Sequence, residues 1–162
     1  MPQHHTTKRV HHSAQQMYDL VGDVENYPHF VPLCESLRVR KREQRDGKTV
    51  IIADMTVAYS LIRDTFTSRV TMNPADLTIR VEYVTGPFRS LMNRWSFKPI
   101  DETASEVDFF IAWEMKSRTF AMVAGAVFER AFRRFAEAFE ARANHVYKPA
   151  HLTEAPQPSR GG

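Results

Sequence analysis

Four histidines, one cysteine and one inward-turned carboxylate are the residues of this 162-residue chain best equipped for chemistry. His4, His5, His11 and His12 bunch near the start, but no cysteine or carboxylate accompanies them at metal-ligand spacing. Cys34 follows the bend at Pro32 without the surroundings of a known nucleophile family. Asp64 falls on the same strand face as Ile62 and Phe66, where an unpaired carboxylate is costly. It reads either as a ligand-orienting group or as part of a bulge or an exposed strand start. With Tyr59 it is the sole nomination for an acid–base pair. There is no glycine-rich phosphate loop and no paired-histidine zinc motif. No motif supports a catalytic assignment, so the expectation is a protein that is not an enzyme and carries no cofactor.

A different chemistry is abundant: burial of large apolar rings. Eleven phenylalanines, five tyrosines and two tryptophans recur at regular spacing. From 117 to 147, Phe120, Val123, Ala124, Val127, Phe128, Ala131, Phe132, Phe135, Ala138, Phe139 and Ala143 follow steps of three and four. That spacing places them on one stripe of a single long amphipathic helix. Upstream the period changes to two. Residues 50–59 set Ile51, Ala53, Met55, Val57 and Tyr59 on one face, and 62–72 do the same with Phe66 and Val70. Further strands are expected at 34–45, 77–85, 94–99 and 106–116. Their inward positions include Tyr83, Trp95, Phe97, Phe109, Trp113 and Met115. Asp46-Gly47 and Asn73-Pro74-Ala75-Asp76 are hairpin and turn signals.

The elements that position these rings begin with a weakly alternating strand at 6–11. A helix over 14–21 follows, entered by a capping box at Ser13 and Gln16. Two prolines at 28 and 32 then limit 24–32 to a short helical turn and a bend. Strand, two short helices, six strands and a long helix describe an α+β domain in which an antiparallel meander buries one face. Rings interdigitate less closely than aliphatic side chains, so a curved sheet under a phenylalanine-rich helix encloses either a packed core or a hollow one. Residues 86–92, Gly-Pro-Phe-Arg-Ser-Leu-Met, break the strand rhythm. They read as a lid or membrane-touching tip, or as a turn tucked under the sheet edge.

Composition narrows the partners. Twenty-two basic against nineteen acidic residues leave a net charge of +3, too slight for a dedicated DNA binder. Arg130, Arg133, Arg134 and Arg142 share the last helix with Glu129, Glu137 and Glu140, the mixture of a solvated face. One cysteine fits a reducing compartment, the first ten residues lack an apolar secretory core, and no apolar run reaches membrane-spanning length. The expected location is cytoplasmic, with any membrane contact peripheral, at the inner membrane. One domain over 1–147 and a disordered tail over 148–162 are expected.

Three segments carry a resemblance. They are 23–34, Asp-Val-Glu-Asn-Tyr-Pro-His-Phe-Val-Pro-Leu-Cys; 86–97, Gly-Pro-Phe-Arg-Ser-Leu-Met-Asn-Arg-Trp-Ser-Phe; and the phenylalanine-rich run 127–132. In this order they resemble the coenzyme Q-binding proteins of the START-like superfamily, a family that also includes bacterial ribosome-association toxins. The resemblance implies a helix-grip fold, with the sheet wrapped around the long helix. It implies ubiquinone or another prenylated lipid bound in an apolar tunnel, in support of respiration or quinone biosynthesis. On that reading Tyr59, Phe66, Tyr83, Phe88, Leu91, Trp95, Phe97, Phe109, Trp113, Phe120, Val127 and Phe128 contact the ligand, Trp95 foremost. The family's other members imply the alternative, a partner on the large ribosomal subunit and a block to subunit joining. Polyketide cyclases and aromatases of the same superfamily imply a third, enzymatic use of the tunnel.

Overall fold

The computed structural model describes residues 2–148; the expected tail from 149 onward lies outside the described residues. Strand β1 (Gln3–Val10) leads into helix α1 (Ala14–Gly22) and a 3-10 helix at Val24–His29. Strands β2 (Cys34–Arg45), β3 (Lys48–Tyr59), β4 (Ile62–Asn73), β5 (Thr78–Thr85), β6 (Phe88–Asp101) and β7 (Ala104–Met115) follow. The chain then closes with α2 (Arg118–Arg133) and α3 (Phe135–Val146). All seven strands form one antiparallel sheet in the order β1-β7-β6-β5-β4-β3-β2. Consecutive strands from β2 to β7 are neighbours, as short turns dictate. α1 and the 3-10 helix carry the chain from one sheet edge, β1, to the other, β2.

The local signals act as expected at α1. Ser13 Oγ accepts the Gln16 N–H at 3.0 Å and Gln16 Oε1 accepts the Ser13 N–H at 3.0 Å, completing the capping box. Met17, Tyr18 and Val21 are buried against the sheet. Pro28 sits inside the 3-10 helix, where the tighter turn absorbs its missing N–H. Register shifts at Val39/Lys41, Thr67/Ser68, Phe88/Ser90 and Pro99/Asp101 bend the sheet into a concave surface.

Two elements differ from the sequence expectation. The C-terminal helix is not continuous: Arg134 separates α2 from α3, and its N–H bonds back to Ala131 three residues earlier. Such 3-10 tightening turns the axis without a proline or glycine to announce it. Phe128, Phe132, Phe135 and Phe139 stay on one stripe through the break and follow the sheet's curvature. The second difference is at residues 86–92. Gly86 adopts φ +143°, which completes the reversal within Gly86-Pro87. β6 therefore starts at Phe88, well before the expected residue 94. Phe88 is fully buried and Leu91 nearly so, within a strand interior to the sheet, which rules out an exposed tip.

Gly86 and Cys34 give two expectations. A β-carbon on Gly86 would overlap the Phe66 Cβ, in a backbone region that side chains avoid. Gly86→Ala should therefore lower the unfolding free energy by about 2–4 kcal/mol in urea titrations. A change within 0.5 kcal/mol, the scatter of ordinary surface substitutions, would contradict this account. The buried Cys34 thiol is pushed up to about 11 from 9.0 by desolvation. The folded state thus prefers the thiol, and this contribution to stability is lost as pH rises from 9.0 toward 11. Native protein at pH 8 should resist iodoacetamide, and urea-unfolded protein should react at the rate of a free cysteine.

Candidate functional site

The concave face of the sheet and the phenylalanine stripe do not close on each other completely. Between them lies a cavity of about 80 Å³. Phe128, Phe132, Phe135 and Phe139 form its helical wall, with Ala131 between them. Ala53, Met55, Phe66, Val70, Leu91, Trp95 and Ile111 form the floor. Tyr27, Pro32 and Leu33 from the 3-10 helix and the following bend close one side. A cavity of about 150 Å³ lined by similar side chains holds benzene, so this one takes a fragment smaller than a drug-sized ligand unless its walls move.

The void follows from how rings meet. Phe139 is approached edge-on by Tyr27 at 5.3 Å, by Phe30 at 4.9 Å and by Trp95 at 4.9 Å between centroids. Phe88 is the second centre, with Phe66 at 5.6 Å, Tyr83 at 5.8 Å and Phe128 at 5.5 Å, all near perpendicular. Edge-to-face contacts satisfy the ring quadrupoles but hold ring planes apart. The cavity spans the space between the two centres.

Few polar groups reach it. Asn93 is buried and anchored: its Nδ2 donates to the Phe110 carbonyl at 2.9 Å and its Oδ1 accepts the Trp95 Nε1–H at 3.0 Å. Ser68 lines the opposite part of the floor. Tyr27 is the one titratable residue in the lining; its hydroxyl donates to the Val21 carbonyl at 2.5 Å. Burial pushes its phenol far above the ordinary range, so it stays neutral. The cavity is thus an apolar chamber with an amide, a hydroxyl and a bound phenol.

Of the residues nominated from sequence, Phe66, Leu91, Trp95 and Phe128 line the cavity. Tyr83, Phe88, Phe97, Phe109 and Trp113 stand behind that wall. Phe97 stacks on Trp95 and meets Tyr18, Phe109 braces Trp95 at 4.6 Å, and Trp113 braces Phe132 at 4.8 Å. The Tyr83 hydroxyl accepts the Phe88 N–H at 3.1 Å. Tyr59 and Val127 line a shallow crevice between the β3–β4 turn and α2, and Phe120 lines a neighbouring open groove. Asn93, Ser68 and Tyr27 were missed. Asn93 and Ser68 sit at inward strand positions where alternation interrupts an apolar run, which is the signal that could have found them.

The remaining candidates for chemistry are dispersed. His5 bonds Asp108 at 2.7 Å on the outer face, and His12 is buried against Asn144 at 2.7 Å. Asp64 caps the Thr65 N–H at 2.8 Å and is absent from the cavity lining. Among the described residues no cluster of His, Cys, Asp or Glu could hold a metal ion, and no helix is long and apolar enough to cross a membrane.

Comparison with known proteins places this architecture. Over 147 residues, 91% of this chain and 90% of the relative, it is 34% identical to the ribosome association toxin RatA of Escherichia coli. It is 35% identical over 124 residues to the mitochondrial coenzyme Q-binding protein COQ10 of Drosophila melanogaster, covering 74% of this chain and 49% of that one. The solution structure of an 18 kDa protein from Caulobacter crescentus superposes with a TM-score of 0.72 at 32% identity, over 91% of this chain and 99% of that one. A START superfamily protein from Mycobacterium smegmatis shares the fold, with a TM-score of 0.74 at 21% identity over 89% and 98% of the two chains. The seven-stranded curved sheet gripping its C-terminal helices is the helix-grip architecture. Residues 10–140 match the family model for polyketide cyclase/dehydrase and lipid transport proteins, and the chain belongs to that family.

Proposed function

We propose that this protein binds a prenylated lipid, ubiquinone or a close relative, as a carrier or chaperone supporting respiratory electron transport or quinone biosynthesis. The observation that carries this reading is the cavity itself, walled by rings and holding no ionisable group but a neutral phenol. Burial of apolar surface is the driving force, about 0.8 kcal/mol for each CH₂ removed from water. The Asn93 amide and Ser68 hydroxyl are suited to orient a quinone carbonyl or methoxy oxygen. A full ligand needs more room than about 80 Å³, so α2 must shift outward on binding. Relatedness to a coenzyme Q-binding protein supports the same ligand class.

Extraction of the purified protein into organic solvent, with mass spectrometry for quinones, should recover close to one quinone per chain. Trp95 is a poor probe for mutation, because truncating a fully buried tryptophan costs about 3–5 kcal/mol of stability by itself. Ala131→Leu is the better variant, since it fills the cavity. It should weaken ubiquinone quenching of tryptophan fluorescence by tenfold or more while leaving the melting temperature within a few degrees. Unchanged quenching in that variant would remove the cavity as the binding site.

A second reading has its own support: the 34% identity to a ribosome association toxin over nine-tenths of the chain. On this reading the protein docks on the large ribosomal subunit. Sucrose-gradient sedimentation at low salt should then carry it with that subunit, and raised salt should release it. Absence from the subunit fractions at low salt would exclude this role.

A further inference from the structure

The three most exposed large apolar side chains, Leu61, Met122 and Val123, lie at one end of the molecule. β3 and β4 join through the two-residue turn Ser60-Leu61, with Ser60 at φ +57°. Such turns favour glycine, asparagine or aspartate. Here the tip is Leu61, 99% exposed, and it contributes nothing to the turn. Facing it across a groove lined by Ile62, Phe120 and Val123 is the start of α2. There Met122 is 86% and Val123 63% exposed, whereas Ala124, Phe128, Ala131 and Phe132 of the same helix are buried.

Two cations border this patch without an ion pair among the described residues. The first turn of α2 holds no acidic residue; it opens instead with Arg118, where the helix dipole disfavours a cation. Lys116 precedes it. Both are exposed, and neither forms an ion pair among the described residues. The nearby Arg63 and Arg89 are neutralised by Glu35 and Glu114. The leucine tip and the exposed methionine and valine are unfavourable in water, and the hydrated cations beside them have no protein counter-charge. All become favourable at an anionic lipid surface.

We propose that the Leu61 tip and the first turns of α2 dock on an anionic lipid bilayer, with Leu61, Met122 and Val123 entering the boundary between headgroups and acyl chains. Lys116 and Arg118 lie level with the headgroups. The crevice between this patch and the interior is lined by Tyr59, Ile62 and Val127, and it shares Leu33, Val57 and Phe128 with the cavity wall. Docking therefore sets the wall of Leu33, Val57 and Phe128 against the membrane, so that a lipid admitted by their displacement enters without crossing water. The purpose of the surface rests on the lipid reading; the docking itself does not.

Flotation of the full chain, without added quinone, with vesicles of equal parts phosphatidylglycerol and phosphatidylcholine tests the idea. The protein should float with these vesicles and far less with pure phosphatidylcholine. Leu61→Ser and Met122→Ser should each lower the partition coefficient about tenfold, with melting temperatures unchanged because both side chains are exposed. Lys116→Gln with Arg118→Gln should lower it about fivefold per charge and flatten its salt dependence. Binding that ignores these substitutions, or no binding to anionic vesicles, overturns the proposal. So does a solution dimer that Leu61→Ser dissolves, which would assign the patch to a second copy. Ubiquinone quenching in the same samples separates the two readings. Quenching without flotation removes the docking surface alone, and flotation without quenching removes the quinone ligand alone.

Discussion

The structure depends on rings meeting edge to face across a concave surface. Phe139 holds α3 against Trp95 and the 3-10 helix, and Phe88 holds β6 against Phe128 and Phe132. Each such pair contributes about 0.5–1.5 kcal/mol beyond its buried area. The same geometry that binds the helices to the sheet keeps the ring planes from collapsing together. Cohesion and cavity are two results of one packing constraint, and a core of leucine and valine on this backbone would have filled the space.

Curvature is the second half of that constraint. A straight helix of this length would leave the sheet as the sheet bends away, and the break at Arg134 prevents it. α3 is then fixed between α1 and the aromatic cluster, with Lys8–Glu140 at 2.9 Å tying it to β1. α2 is held through Ala124, Phe128, Ala131 and Phe132 but shows its first turns to solvent. Local stability is therefore uneven: the region around Phe139 is anchored, and the one beginning at Phe120 is freer to move.

The family's description joins cyclases and dehydrases with lipid transport, and the relatives of this chain include proteins named for ribosome association and for coenzyme Q binding. One fold carries all of these, so the fold cannot choose among them and the groups in the chamber must. Acid–base chemistry needs ionisable groups whose environments set them apart. The chamber here offers Asn93, Ser68 and a buried phenol already committed to Val21, a set suited to recognition by hydrogen bonding.

Periodicity in the sequence was enough to determine the element order, the α+β class, the capping box at Ser13 and most of the buried stripe, because each depends on neighbours within one turn or one strand; Val123, placed on that stripe by spacing, is 63% exposed because the start of α2 overhangs the sheet. The three segments carrying the family resemblance were equally local. What the tertiary structure alone decided was which inward rings face the void and which brace them. Phe66 and Trp95 reach the cavity, while Phe97, Phe109 and Trp113 occupy equivalent strand positions one layer behind. Alternation tells inside from outside but not the depth, which depends on sheet curvature and on where α2 and α3 cross. The break at Arg134, the burial of Phe88 and the exposure of Leu61 also escaped the pattern. The first two follow the curvature of the sheet, which long-range strand pairing sets, and the third follows from Leu61 having no neighbour to cover it.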